Sequence, residues 1–210
     1  ILRTHDGGQS WQELPRDQQP DALENEGGFA ASGTCLALQG EESVVIGLGG
    51  ARNEAQPGDA RILVSRDRGK TWQAKMAPLA SGAASGVFSI AFINPQQAVA
   101  VGGTYDQPEI RTGNIAITQD GGSQWTRPNG SPRGYRSCVV AFDSINKGKT
   151  YLMALGKTGA DLSSDLGNSW RAFSNEGFFA ASVGNNGKTL IAVGSEGRIG
   201  VLSLRTLALD

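Results

Sequence analysis

One eight-residue pattern, Ser/Thr-x-Asp-x-Gly-x-Ser/Thr-Trp, occurs four times in this 210-residue chain without a gap. The copies are Thr4–Trp11, Ser65–Trp72, Thr118–Trp125 and Ser163–Trp170, and every tryptophan in the protein closes one of them. Only Gln124, at the hydroxyl position of the third copy, departs from the pattern. Such a repeat fixes the architecture before any single strand is read. An Asp side chain can accept from backbone N–H groups just ahead of it, and the Gly two residues later supplies the positive φ of a tight reversal. The Trp ring then packs on the sheet that the hairpin closes. On this reading Asp6, Asp67, Asp120 and Asp165, with Trp11, Trp72, Trp125 and Trp170, specify fold and do no chemistry.

The same order of elements recurs between the boxes. A Gly-led strand comes first: Gly28-Phe29-Ala30-Ala31, Gly86-Val87-Phe88-Ser89, Gly134-Tyr135-Arg136-Ser137 and Gly177-Phe178-Phe179-Ala180. A second apolar strand ends in glycine at Gly47, Gly102, Gly156 and Gly194. A third, such as Arg61–Val64 or Asn114–Ile117, leads into the box, and a fourth starts at the Trp. Four strands per repeat describe an all-β propeller built of four-stranded antiparallel blades with box hairpins, about four or five blades in this chain. The small residues of the first strand suit the crowded axis. We place a partial blade at 1–15, blades at about 26–78, 84–129 and 133–174, and a partial blade at 176–205, all in one domain. Either the strand after Trp11 completes the last blade, giving a ring of about four, or further blades lie upstream of Ile1. The second is favoured, because Ile1-Leu2-Arg3 already reads as a third strand and would compete with Arg198–Leu202. An open ring exposes strand edges, so a homodimer becomes a possible outcome.

Thirty glycines and 39% hydrophobic residues fit a loop-rich β protein with a real core. Nineteen basic against twenty acidic residues leave a formal charge of −1, so no global field draws in nucleic acid. No run is long and apolar enough to span a bilayer as a helix, and residues 1–5 lack the regions of a signal peptide. The start at Ile1, inside a repeat, points to an upstream segment removed by processing or an incomplete reading frame. Cys35 and Cys138 each sit in an apolar strand-like run, a whole repeat apart, and are expected to be core thiols without a bridge.

The boxes, with Gly28–Thr34, the Gly102-Gly103-x-Tyr105 run, Gly134–Ser137 and Glu176-Gly177-Phe178, resemble the bacterial Asp-box (BNR) repeat proteins related to the photosystem II stability/assembly factors. The resemblance covers nearly the whole chain. It implies a propeller of six or seven blades, often exported to the periplasm or beyond, that acts as a scaffold or assembly factor.

Asp boxes also occur in sialidases and other glycosidases, which need three arginines for the substrate carboxylate, a Tyr nucleophile activated by Glu, and an acid/base Asp. Arg111, Arg136 and Arg198, with Tyr135 or Tyr105 and Glu176 or Glu26, are the candidates, and the Arg-Ile-Pro segment that marks sialidases is absent. No catalytic residue is therefore assigned. His5, the single histidine, lies inside a box with no second ligand at metal spacing, so neither metal nor cofactor is expected. Gly47–Gly50 lacks the spacing of a nucleotide loop. Ser85, Ser137 and Ser182 have no neighbouring His to act as base.

What remains is binding. Loops entering the innermost strand, and those joining second and third strands, gather on one propeller face. They carry Glu26, Phe29, Tyr105, Arg111, Arg133, Tyr135, Arg136, Glu176, Phe178 and Arg198. Aromatic and Arg side chains are interface anchors, so a non-enzymatic scaffold that binds a protein partner is the first expectation. A sialidase-like or carbohydrate-binding propeller is the alternative, and Phe29, Tyr135 and Phe178 can equally serve as core beneath the loops.

Overall fold

The computed structural model describes residues 1–29, 33–50, 59–143, 148–185 and 187–205. The hairpin of β1 (Leu2–Arg3) and β2 (Gln12–Glu13) carries the first box. The first large sheet is β3 (Leu36–Gln39), β4 (Ser43–Gly47), β5 (Ala60–Ser65) and β6 (Gln73–Ala77) in that order. The second is β7 (Ser85–Phe92), β8 (Ala98–Thr104) and β9 (Ile115–Thr118), extended by a single bridge from Ile117 to Thr126. The third is β10 (Cys138–Asp143), β11 (Thr150–Gly156), β12 (Gly159–Ser163) and β13 (Arg171–Ser174). The last is β14 (Ala180–Val183), β15 (Thr189–Val193) and β16 (Ile199–Ser203). Every pairing is antiparallel between sequence neighbours, which makes each sheet a meander and the whole a β-propeller architecture.

Second and third strands form where the apolar runs place them, and β4 matches its run residue for residue; the fourth strand expected after each Trp forms as β6 and β13 but is reduced after Trp125 to the single Ile117–Thr126 bridge. The first strands do not form where their runs place them. Gly134–Ser137 precedes β10, and Gly177–Phe179 precedes β14, which opens at Ala180. The first strand of the first sheet is Leu36–Gln39, beyond Gly28-Phe29, while Ala30 and Ala31 lie outside the described residues. Only Gly86–Ser89 falls within its strand. The physical reason is close approach between sheets. Val87 N donates to Leu48 O at 3.0 Å, Arg136 N to Gly102 O at 3.0 Å and Phe178 N to Gly156 O at 3.1 Å, so each entry segment bonds to the preceding sheet before it joins its own. A Cβ on Gly102 or Gly156 would meet the backbone of Gly86 or Tyr135 well inside 3 Å, and one on Gly194 would lie 2.7 Å from Gly177 O.

Beyond these contacts the first strands lie side by side. Ile90 N donates to Thr34 O at 2.9 Å, the Thr34 hydroxyl to Ser89 Oγ at 2.7 Å, and Val139 N to the same Ser89 Oγ at 2.9 Å. Thr34 and Ser89 hold this inner seam through their hydroxyls. Cys35 and Cys138 are free thiols, and burial raises both above the ordinary thiol value.

Apolar clusters fill the gaps between successive sheets. Val45, Ile62 and Val64 of the first meet Ile90, Ala100 and Trp125 of the second. Val99, Val101 and Ile117 meet Val139, Leu152 and Trp170. Met153, Leu155 and Leu162 meet Leu190, Ala192 and Leu204. Strands β8 and β11, buried on both faces, therefore read as continuous apolar runs, whereas β15 alternates buried Leu190 and Ala192 with exposed Ile191 and Val193. The hairpin segment of residues 1–20 does not join β16. It lies on the outer face of the first sheet, where Ile1 and Leu14 cover Leu48, Leu63 and Trp72.

All four boxes share one geometry. Asp67 Oδ1 accepts from the N–H groups of Lys70 and Thr71, both at 2.9 Å, and Oδ2 accepts from the Thr71 hydroxyl at 2.6 Å. Ser10 and Ser169 repeat that hydroxyl bond to Asp6 and Asp165, whereas Asp120 keeps the backbone bond from Gln124 N at 2.9 Å. Gly8, Gly69, Gly122 and Gly167 all have positive φ. Trp72 and Trp170 donate Nε1–H to Gly69 O and Gly167 O. Trp11 is the correction: it is 59% exposed, because β1–β2 is a bare hairpin with no sheet beneath its ring.

Two expectations follow. Gly102→Ala forces the stitched backbones apart and should cost about 1–3 kcal/mol in urea unfolding, as overpacking does, while Gly27→Ala, whose Cβ meets nothing within 4 Å, should be close to neutral. The Thr71 hydroxyl, then the Thr71 N–H, hold the Asp67 carboxyl below the ordinary carboxylate range. A carboxylate with a depressed folded-state value contributes stability above its unfolded value, and that contribution is lost as pH falls through the folded one. Unfolding midpoints measured downward from neutral pH should drop on the acid side, and Asp67→Asn should flatten part of that drop.

Candidate functional site at the axis end

The segments entering β7 and β10, the segment before β3 and the loop after β8 converge at one end of the sheets. Tyr135 N donates to Pro108 O at 2.9 Å, and Tyr105 N to Ala84 O at 2.9 Å, so the Tyr105–Gly113 loop is tied to both neighbours. Four rings meet there. Phe29 and Phe88 stack with centroids 4.1 Å apart and planes 12° from parallel. Tyr105 stands edge-on to both, at 6.4 and 6.3 Å, and Tyr135 meets Phe88 edge-to-face at 4.9 Å. Such offset and T-shaped pairs suit aromatic quadrupoles. Phe88 and Tyr135 are buried, and burial raises the Tyr135 phenol above its ordinary value. Phe29 is half-buried and Tyr105 is 44% exposed, so the cluster opens to solvent through these two rings.

Beside it lies a charged group built on Asp161, which is buried in β12. Its carboxylate accepts from Arg136 Nε at 2.8 Å, Arg133 Nε at 2.7 Å and Arg133 N at 2.9 Å. Arg136 is fully buried and also donates to Tyr135 O and Thr158 Oγ1, while Arg133 reaches Ser174 O and Asn175 Oδ1. Burial lowers the Arg136 guanidinium from its ordinary value, and the Asp161 charge opposes that shift. Glu26 is bound by Arg61, which donates to both carboxylate oxygens. Glu176 pairs with Arg198 at 3.0 Å on the last sheet. Arg111 is exposed, beside a cavity of about 130 Å³ that Asn114 and Arg127 also line.

The ten residues read from sequence therefore separate into groups. Phe29, Tyr105 and Tyr135 come together, Arg133 and Arg136 converge on Asp161, and Glu176 pairs with Arg198. Glu26 faces inward to Arg61, and Phe178 packs among Leu190, Ala192 and Gly200 in the last core. Arg111, Arg136 and Arg198 do not form a carboxylate-binding triad, since Arg136 is buried on Asp161 and Arg198 is held by Glu176. Phe88, Arg61 and Asp161 were missed. An Asp inside the strand Gly-Ala-Asp-Leu-Ser is a signal, because a buried carboxylate requires a cationic partner.

No family model matches the chain, and no curated protein matches it by sequence. Solved structures do match. The Niastella koreensis GH74 enzyme is 18% identical with a TM-score of 0.55, over 80% of this chain and 28% of that one. The K499G mutant of NanB sialidase from Streptococcus pneumoniae is 14% identical with a TM-score of 0.53, over 95% and 33%. The Penicillium chrysogenum α-L-arabinanase complexed with arabinobiose is 14% identical with a TM-score of 0.53, over 98% and 67%. The chain thus spans about a third or less of the first two. YCF48 bound to D1 peptide aligns with a TM-score of 0.38, too slight to carry an argument. Fold and box geometry together define a propeller of the Asp-box type.

Removing Asp161 leaves Arg136 buried without a counter-charge. Asp161→Ala should cost about 3–5 kcal/mol in denaturant unfolding, the range for breaking a buried pair from one side.

Proposed function

We propose that this chain is a carbohydrate-binding propeller module that holds a glycan at the axis end without cleaving it. The observation that carries the reading is the aromatic cluster opening to solvent through Tyr105 and Phe29. A sugar ring presents an axial C–H face that packs on an aromatic ring, while its hydroxyls need hydrogen-bonding groups at the margin. The Tyr105–Gly113 loop supplies that margin in Asp106, Glu109 and Arg111, all exposed. The similarity to propellers whose names mark them as glycoside-acting agrees with this class at the level of fold. Binding without cleavage is favoured by the placement of the carboxylates. A glycosidase sets two carboxyl groups across the scissile bond, whereas Glu26, Asp161 and Glu176 are each held by arginine and Asp106 and Glu109 sit three residues apart on a single loop.

A protein-binding scaffold, with membership of the photosystem assembly-factor family, is the second reading. Tyr and Arg side chains flanking one loop favour it, since these anchor protein interfaces.

Titration calorimetry against soluble arabinan, xyloglucan and sialyllactose tests the first reading. Binding to at least one glycan is expected, and Tyr105→Ala should weaken it about tenfold, or ~1.4 kcal/mol. No heat with any glycan, or binding indifferent to Tyr105, would overturn the reading and leave the scaffold.

A further inference from the structure

We propose that the cavity between Arg111 and Arg127 is a subsite for an acidic sugar unit, which sets its anionic group on the two guanidinium groups and a hydroxyl toward Asn114. The inference rests on the glycan-binding reading and names the kind of unit that such a glycan carries.

It starts from a polar atom left without a partner. Asn114 stands just before β9 and is fully buried. Its Nδ2 donates to Pro132 O at 3.0 Å and to Gly134 O at 2.6 Å, whereas Oδ1 is buried with no hydrogen-bond partner among the described residues. Turning the amide over would set its oxygen against two carbonyl oxygens, so the orientation is fixed. An unpaired buried acceptor is destabilising, and Oδ1 is therefore suited to accept from a ligand. Trp125 Nε1 and Tyr151 Oη share its condition, but both lie in apolar clusters between sheets. Asn114 instead lines the cavity of about 130 Å³, together with Ile115, Asn129, Ser131 and the two arginines. Neither Pro132 nor Gly134 lines it, so Nδ2 turns away from the cavity and Oδ1 is the other arm of the amide. One ordered water requires only ~10–15 Å³, and the space suits a larger group.

The walls are held in place. The segment before β9 faces the segment leading to β10, and Ser131 Oγ donates to Arg111 O at 3.1 Å between them. Ala80 N donates to Gly113 O at 2.7 Å and Gly130 N to Asn168 O at 2.9 Å, which ties each wall to a further segment.

Charge selects what enters. Arg111 and Arg127 are exposed, and neither belongs to an ion pair among the described residues, not even with Asp106 or Glu109 of the adjoining loop. Arg127 donates to Pro78 O at 3.3 Å, a neutral acceptor that leaves its charge uncompensated. Arg61, Arg133, Arg136 and Arg198, by contrast, each bind a carboxylate. Two uncompensated guanidinium groups at one mouth match an oxyanion, carboxylate or phosphate ester, through their forked N–H donors. They repel an ammonium group, so the donor that Asn114 accepts from is a hydroxyl. An anionic group and a hydroxyl held a few bonds apart are what an acidic sugar offers.

NMR titration of the isotope-labelled chain with galacturonate, galactose 6-phosphate, galactose and cyclohexanecarboxylate tests the proposal. Galacturonate or galactose 6-phosphate should shift the Asn114 Nδ2 resonances, and the tighter of the two tells carboxylate from phosphate ester. Galactose has the hydroxyls without the charge and cyclohexanecarboxylate the charge without the hydroxyls, so each should bind about tenfold more weakly or less. Arg127→Gln should weaken the acidic sugar about tenfold. Circular dichroism confirms that this variant folds, and Arg111→Gln serves in its place if it does not. Equal affinity for the acidic sugars and galactose overturns the proposal, as does equal affinity for cyclohexanecarboxylate or a set of shifts that leaves Asn114 untouched. If neutral glycans bind through Tyr105 while the acidic sugars shift nothing at Asn114, the subsite fails and the glycan reading stands. If the acidic sugars bind here and no glycan responds to Tyr105→Ala, the subsite stands and the glycan reading fails.

Discussion

The structure depends on one backbone hydrogen bond repeated at each junction between sheets. Val87, Arg136 and Phe178 each donate a main-chain N–H to a carbonyl at the end of the preceding sheet's second strand, at 3.0–3.1 Å. A main-chain bond of that length brings two backbones closer than side chains allow, so the positions around it are glycine. Gly102 and Gly156 accept the bond themselves, and Gly47 stands beside the Leu48 acceptor, where a Cβ would strike Val87. The stitch sets the spacing between sheets at the axis end, and that spacing determines which rings meet there. Phe29 lies over Gly49 and Gly86, and Phe178 over Gly194 and Gly200, in places that any side chain would fill.

At the other margin the boxes do comparable work by different means. Each Asp collects N–H groups that a tight turn leaves unpaired, and an unpaired donor costs more than a made bond returns. The box residue after Asp also has positive φ, at Arg68 and Leu166 as well as at Gly7 and Gly121. A side chain tolerates that conformation only where the surroundings enforce it, and the Asp carboxylate, with four donors at Asp67 and three at Asp165, is the enforcing element. Arg66 adds a tie between successive boxes, donating to Gly121 O and Ser123 Oγ.

Periodicity made β4, β8, β11 and β15 legible, because apolar runs ending in glycine have one reading in a meander. The first strands were harder. Gly134-Tyr135-Arg136-Ser137 has the composition of a strand, yet its hydrogen bonds run to Pro108, Gly102 and Leu155 on neighbouring segments. A local pattern cannot reveal that a residue's partner lies some thirty positions away. The Trp rule failed at Trp11 for a related reason: the box describes the turn, while the surface under the ring comes from another sheet. The site divides the same way. Tyr105 and Tyr135 were visible as aromatics on loops, but the Phe88 ring that joins them sits inside a strand, and the partner of Arg136 is Asp161, in the strand two beyond its own.

That ion pair explains why the axis end is aromatic in character despite its arginines. Arg136 is fully buried, and its charge is compensated by a carboxylate that Arg133 also neutralises. Their role is to fix the entry into β10: Asp161 binds Arg133 through both side chain and main chain, and Arg136 turns back onto Tyr135 O. Tyr135 is thereby held against Phe88, Phe88 against Phe29, and Tyr105 across both. Ordering these rings before a ligand arrives lowers the entropy lost on binding. On the proposed glycan-binding reading, the exposed Tyr105 ring and the half-buried Phe29 ring supply the face for a sugar, and the exposed Asp106, Glu109 and Arg111 of the Tyr105 loop supply polar groups.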